Sequence, residues 1–517
     1  MTAEELSKLE SDLWNAADQM HANSKFNVAE YRDPMLGIIF LRFAYNRYIE
    51  ALNKIQPSLD TPRGKRKPIA DDFKAVGAIM LPDEAQWKYL AGLPENRDIG
   101  ESLNDAMKAI EESYPDLQGI LPKSYQLMEP EVIRGLIKIF SRESLDLAKG
   151  DVFGRVYEYF LLKFAMSTAQ EGGEFFTPPS LVNLIVRIIE PDHGIVYDPA
   201  CGSGGMFVQT GHFINDFRHR NPNEAISIFG TEKISSNVKL SMMNLYVHGL
   251  EGKIQEGNTY YEDTHNLVGR CDYVMANPPF NVSGVDKNRD FVKEDKRLPF
   301  GLPRNDIANY LWIQYFYSYL NDIGRAGFVM ASSATDAGHS EKLVREKLIK
   351  TGHVDVIVSV ANNFFYTRSL PCHLWFLDKG KLAHIKDKVL MIDARNTFRK
   401  VNTTLNDFTE EHLDGLSAIA RMYRGETVNV ENNPWLKERF PGGKYQDVLG
   451  LCKVVELKEI KENDWSLTPG RYIGITNNIN GNDNFSEELK EINRMYTNLS
   501  DEAIELDKKI RAILSSL

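Results

Sequence analysis

What these 517 residues have little of narrows their possible roles first. The four cysteines, Cys201, Cys271, Cys372 and Cys452, lie far apart with no Cys-x-x-Cys pair. That spacing excludes a zinc ribbon and a secreted disulfide framework, so reduced core thiols are expected and no metal site is. Long hydrophobic runs are missing too. The longest early one, around Gly37 to Tyr45, is interrupted by Arg42 and is too short to span a bilayer. The first residues are charged and carry no apolar signal-peptide core, which predicts a soluble, cytoplasmic chain with no membrane contact. No G-x-x-x-x-G-K-[ST] occurs, which excludes a P-loop ATPase. Positive charge is not in excess either: 61 Lys and Arg against 72 Asp and Glu give a net charge of -11. Gripping a nucleic-acid backbone takes Lys and Arg. Such a role here calls for a local basic surface, a partner that supplies the grip, or both.

What is present is ordinary for a globular protein, 43% hydrophobic and 26% charged. The length suggests roughly two to four domains. The first part reads as helical. Thr2 and Glu5 fit a capping box, and Leu6, Leu9, Leu13, Ala16, Ala17 and Met20 recur at helical spacing. Helical patterns return over 103–110 and 132–140. The polar stretch 57–68, with Arg63, Lys65, Arg66 and Lys67, reads as a loop. Beyond residue 190 short apolar runs alternate with helical stretches; the strand candidates are 195–197, 226–229, 273–276, 328–331, 354–360, 373–377 and 389–392. This alternation predicts an α/β fold, a doubly wound and mostly parallel sheet with helices on both faces. Ligands in such sheets bind at the carboxyl ends of the strands. At the far end Leu489, Ile492, Tyr496, Leu499, Ala503, Leu506, Ile510, Ile513 and Leu517 form an unbroken seam of three- and four-residue steps. A seam of that kind suits a coiled-coil-like helix, for its own domain or for a partner. The expected division is a helical region 1–148, a catalytic region 149–480 and a C-terminal helix 484–517.

The chemistry sits where the strand candidates end. Run 195–197 leads into Asp198-Pro199-Ala200-Cys201-Gly202-Ser203-Gly204-Gly205. Glycines there let a backbone approach a ligand at a helix N-terminus. The dinucleotide pattern fails, because Phe207 stands where its third Gly is required. A Gly turn without phosphate-binding machinery suits S-adenosylmethionine, which carries an amino-acid group and no phosphate. Run 226–229 delivers Glu232, an acid at a strand end that suits a ribose diol. Asn258 follows the third segment and offers an amide for an adenine edge, though Gly-Asn is also a turn signal. Upstream, Glu174, Phe175, Phe176, Thr177, Pro178 and Pro179 precede a helical pattern. They read either as a cap with a hydrophobic staple or as a loop closing on the methionine end of the cofactor.

Run 273–276 delivers Asn277, Pro278, Pro279 and Phe280. An exocyclic amine is a poor nucleophile because its lone pair is delocalised into the ring. Two acceptors, the Asn277 side-chain oxygen and the Pro278 carbonyl, hold its two hydrogens and localise that lone pair for methyl transfer. Orientation and preorganised polar groups do this without a strong base. Phe280 is expected to stack on the acceptor, and a base in a duplex must flip out to reach it. By itself the run does not choose between adenine, cytosine and glutamine. The following loop, 286–304, mixes Lys287, Arg289, Lys293, Lys296, Arg297 and Arg304 with acids and reads equally as a DNA-closing segment or a solvated surface.

Taken together these boxes, in this order, resemble the modification (HsdM) subunit of type I restriction–modification systems, over nearly the whole chain. The segment Trp465-Ser466-Leu467-Thr468-Pro469-Gly470-Arg471-Tyr472 looks like the one that precedes that family's C-terminal helix. The resemblance implies a Rossmann-like S-adenosylmethionine-dependent methyltransferase domain with an all-α N-terminal domain. It implies methylation of the N6 amine of adenine in double-stranded DNA. The cofactor contacts it implies are Glu174 to Pro179, Ser203 to Gly205 and Glu232, with Asn277, Pro278 and Phe280 at the base. The partners it implies are a specificity subunit, a second copy of the chain in a complex of two modification subunits and one specificity subunit, and restriction subunits in the full assembly. The alternative is a methyltransferase for protein glutamine or RNA bases, whose members usually carry Tyr after the prolines.

Overall fold

The computed structural model describes residues 3–22, 24–61, 64–76, 78–142, 145, 151–172, 177–303, 307–366, 371–403 and 405–474, and positions 493, 494, 497 and 500. Residues Met1–Ile473 form one compact unit and Gly474–Leu517 another. Most of the seam expected over 489–517, the Thr2 cap, and Arg63 and Arg304 lie outside the described residues.

The N-terminal part is helical, as its periodicity predicts. Helices Ala3–Ala22, Val28–Ile55, Ile99–Ser113 and Pro130–Phe140 bury leucine, isoleucine and aromatic side chains against one another. Arg42, the residue that breaks the early apolar run, is fully buried and donates from Nε to the Phe140 carbonyl at 2.9 Å. Stretch 57–68 folds into a 3-10 turn and two-residue strands at Asp60–Thr61 and Gly64–Lys65, and Arg66 there pairs with Asp72 at 2.6 Å. Helix Ser235–Val247, which follows the second strand of the large sheet, lends Leu240, Met243 and Val247 to the same core. The helical region is thereby packed onto the flank of the sheet.

That sheet has nine strands: β1 (Gly194–Asp198), β2 (Ile226–Glu232), β3 (Gly252–Glu256), β4 (Cys271–Ala276), β5 (Leu320–Ala331), β6 (Val354–Val360), β7 (Cys372–Asp378), β8 (Lys388–Asp393) and β9 (Cys452–Glu456). Their order across the sheet is β3-β2-β1-β4-β5-β7-β6-β8-β9. Pairing is parallel except for β7, which runs antiparallel between β5 and β6, and the antiparallel edge strand β9. Side chains alternate between faces, as the pleat requires. Val196, Met275, Val329 and Leu374 pack under helices Pro179–Ile189, Gly205–Arg218 and Glu410–Tyr423. Tyr197, Val274, Phe328 and Trp375 pack under helices Asn309–Tyr319 and His339–Lys350 on the other side. The succession of strands across the sheet switches sides between the parallel neighbours β1 and β4, and both motif-bearing loops leave the carboxyl ends of these two strands. Among the described residues no helix is long and apolar enough to cross a membrane.

Two strands escape the apolar-run reading. β3 (Gly-Lys-Ile-Gln-Glu) and β9 lie at the two edges of the sheet, where half-exposed polar residues are tolerated. All four cysteines are buried and free.

Candidate active site

β1 ends on Asp198, which is 2% exposed and accepts the Ala200 N–H at 2.9 Å. Burial pushes its carboxyl well above the usual range, and the Glu232 charge adds to the rise. The chain then turns through Gly202 and Gly204, both left-handed at φ +53° and +80°, and enters helix Gly205–Arg218. A Cβ at Gly204 would come within 2.7 Å of Ser241 Oγ, whereas one at Gly202 or Gly205 would meet nothing within 4 Å. The glycines therefore serve two ends. Gly204 permits close packing, while Gly202 and Gly205 keep a space open.

Glu232, at the end of β2, braces this loop from beneath. Its Oε2 accepts the Gly202 N–H and its Oε1 the Ile234 N–H, each at 2.9 Å. Thr259 donates to the Pro199 carbonyl at 2.6 Å and Asn244 Nδ2 to the Ser203 carbonyl at 2.9 Å. Asn258 does not line the resulting cavity; its side-chain oxygen caps the Tyr260 N–H at 3.2 Å, the turn use that Gly-Asn signals.

The open space is a cavity of about 140 Å³. Thr177, Asp198, Gly202, Ser203, Gly205 and Asn277 all line it, bringing together sequence candidates from three separate boxes. Asn277 Nδ2 donates to Thr177 Oγ1 at 2.8 Å. Its side-chain oxygen is buried and has no hydrogen-bond partner among the described residues. An acceptor in that state is held ready for a donor from outside the protein. Pro178 and Pro179 start helix Pro179–Ile189, Pro178 buried and Pro179 exposed. Glu174, Phe175 and Phe176 lie outside the described residues.

After Asn277, Pro278 is buried and Pro279 exposed. Phe280 is half-buried and meets Phe365 edge-on, with centroids 6.0 Å apart. The run is clamped at its end by a pair that sequence reading missed. The Asn281 N–H donates to Asn309 Oδ1 at 2.9 Å, and Asn309 Nδ2 donates back to Asn281 Oδ1 at 2.8 Å. Asn281 sits at φ +53°, a conformation that asparagine tolerates. Also unforeseen are Arg32, Leu161 and Asn237, which complete the cavity wall from distant helices. In loop 286–304 Arg289, Lys293 and Lys296 are exposed, whereas Arg297 is buried. Arg297 is 1% exposed, pairs with Asp295 at 2.8 Å and lies over the Tyr315 ring.

The residues present fit S-adenosylmethionine. Two glycine positions open onto a cavity, the buried carboxyl of Asp198 stands on its wall as a hydrogen-bonding partner for an amino group, and the orphaned Asn277 acceptor lines the same wall. Among the described residues no three His, Cys, Asp or Glu side chains are grouped for a metal.

Comparison with known proteins agrees with this geometry. Residues 148–480 match the family N-6 DNA Methylase, and residues 9–140 match the HsdM N-terminal domain. The chain is 35% identical to the type I restriction enzyme MjaIX methylase subunit of Methanocaldococcus jannaschii, over 99% of this chain and 91% of that protein. It is 31% identical to the HindI methylase subunit of Haemophilus influenzae, over 84% of this chain and 99% of that one. A solved type I restriction-modification methyltransferase subunit from Streptococcus thermophilus shares the fold, with a TM-score of 0.72 at 21% identity over 90% of this chain and 99% of its own. These matches disfavour the glutamine and RNA alternative. The chain belongs to the N-6 DNA methylase family, as a methylase subunit of the type I restriction–modification kind.

Proposed function

We propose that this chain transfers the methyl group of S-adenosylmethionine to the N6 amine of a flipped-out adenine in double-stranded DNA, with Asn277 as the residue that holds the amine. The observation that carries this is the buried Asn277 oxygen, without a partner among the described residues and on the wall of the glycine-loop cavity. When bound, S-adenosylmethionine supplies a methyl group activated on a positively charged sulfur. Thr177 fixes the Asn277 amide so that oxygen is the end presented. Asn277 Oδ1 accepts one amine N–H and the Pro278 carbonyl the other, which draws the nitrogen lone pair out of the ring and toward the methyl. Pre-set acceptors do this without reorganisation at the moment of reaction. Phe280 stacks on the flipped base. Once methylated, the amine nitrogen would carry a positive charge and would release one of its own protons to solvent, so no strong base is needed.

In the same reading the cofactor lies on the loop from Asp198 through Gly202, Ser203, Gly204 and Gly205, beside Glu232, and is covered by Glu174 to Pro179. Residues 1–148 form the helical domain, 149–480 the catalytic domain and 484–517 a helix for assembly. Two copies of the chain join one specificity subunit, which reads the DNA site, and restriction subunits complete the nuclease. A DNA substrate places this work in the cytoplasm.

The test uses the chain assembled with its specificity subunit on DNA carrying that subunit's site. Asn277→Ala is expected to lower methylation by at least about 100-fold, with S-adenosylhomocysteine affinity within a few-fold of the unmodified protein. Equal loss of cofactor binding would make the run structural rather than catalytic.

A further inference from the structure

Arg32 enters the cavity from the N-terminal helical region, far in sequence from every methyltransferase motif. It lies near the start of helix Val28–Ile55, whose entry is fixed by a reciprocal cap. Asn27 Oδ1 accepts the Glu30 N–H at 2.9 Å, and Glu30 Oε2 accepts the Asn27 N–H at 3.0 Å. The residues beside it are also anchored. The buried Tyr31 hydroxyl donates to the Ala17 carbonyl, and the buried Tyr125 hydroxyl donates to the Pro34 carbonyl, each at 3.0 Å. Arg32 is therefore carried on a rigid element, as a preorganised binding group should be.

Its side chain is 17% exposed and lines the same wall as Gly202, Gly205 and Asn277. Nε donates to Asp33 Oδ1 at 2.8 Å. The two terminal guanidinium nitrogens make no hydrogen bond among the described residues. Asp33 itself is 41% exposed, so its charge is well screened by solvent. Among the described residues that line the cavity, Arg32 is the only cation and Asp198 the only acid. A wall whose one fixed charge is the Arg32 guanidinium, beside a turn that admits close backbone contact, is complementary to the carboxylate end of an α-amino acid. Its carboxylate belongs at the guanidinium fork and its ammonium near the carboxyl of Asp198. Arginine also repels the sulfonium, so the cation disfavours the reversed orientation.

We infer that Arg32 binds the α-carboxylate of the cofactor's methionine moiety, making the N-terminal helical region part of the cofactor site. This rests on the cofactor reading above, and the experiment separates the two. Calorimetry on the full chain compares S-adenosylhomocysteine with 5′-methylthioadenosine, which keeps the nucleoside and sulfur but lacks the amino-acid group. Arg32→Ala and Arg32→Gln are expected to weaken S-adenosylhomocysteine by roughly 10- to 100-fold and to leave 5′-methylthioadenosine within about two-fold. Arg32→Lys keeps the charge but not the fork, and should recover only part of the loss. Unchanged S-adenosylhomocysteine affinity in these variants would overturn the assignment, as would an equal loss for both ligands. A wild-type chain that binds neither ligand would overturn the cofactor reading itself, and the role of Arg32 with it.

Discussion

A side-chain amide can act as a catalytic acceptor only when its oxygen and nitrogen ends are told apart. At Asn277 the Thr177 hydroxyl does this by taking the Nδ2 hydrogen at 2.8 Å. The buried oxygen left over costs the fold on the order of 1–3 kcal/mol, a cost relieved when an amine N–H arrives. A buried histidine at this same end of the sheet is held neutral. His373, near the start of β7, is 6% exposed, and burial pushes its imidazole down to about 4, with the Arg395 charge adding to the drop. The unfolded chain, with an ordinary value of 6.5, therefore binds a proton that the folded one refuses. The stability that depends on neutral His373 is fully present above pH 6.5 and is lost as pH falls through 4. The loss amounts to about 3 kcal/mol. Half-buried His353, also lowered to about 4, acts in the same direction. Urea-unfolding midpoints at pH 7 and pH 4.5 should show a clear loss for the unmodified protein and a smaller one for His373→Gln. Equal losses would mean that other groups set the acid limb. Asn277 was legible because its neighbours in the chain are the motif. Its partner Thr177 was legible only as a candidate, because the contact joins residues 100 positions apart. Nothing in a local pattern records such a pairing, and the same holds for Arg32.

At the scale of elements, the strands buried on both faces were the easiest to read. Every residue of β6 and β7 is buried, so their apolar runs are nearly continuous. Edge strands β3 and β9 were lost because their side chains alternate between the sheet and water. The glycine loop was legible as a turn, but the separate work of its glycines was not, since that depends on what each would touch. Gly205 shows the difference. It opens helix Gly205–Arg218, and a Cβ there meets nothing within 4 Å. Gly205→Ala should therefore leave thermal stability unchanged or raise it by up to about 1 kcal/mol. The same methyl intrudes into the space assigned to the cofactor and should weaken S-adenosylhomocysteine by about 10-fold, as overfilling a fitted site does. Calorimetry and a thermal melt on the same preparation check both halves. A stability loss with unchanged affinity would show that the loop is structural and the cavity is not the site.

For the whole molecule the issue is how an acidic chain works on a polyanion. A net charge of -11 leaves little general attraction for DNA, and cations near the acceptor motif are partly committed elsewhere. Arg297 is buried against Asp295 and Tyr315, and Arg289 lies over the Tyr261 ring. Grip and sequence choice are thus expected to come from a partner, and the seam from Leu489 to Leu517 is the feature of this chain best suited to dock one. Burying even two leucines of that seam contributes about 1.5–3 kcal/mol each, so losing them should weaken assembly by at least roughly a hundredfold. The Gly474–Leu517 unit is distinct from the unit that holds the cavity, and cofactor binding should survive the loss. A chain ending before Leu489 is expected to bind S-adenosylhomocysteine as the full chain does, to elute apart from the specificity subunit on a sizing column, and to leave DNA carrying that subunit's site unmethylated. Co-elution as strong as that of the full chain would remove the seam from the interface and send the search to the helical surface of residues 1–148.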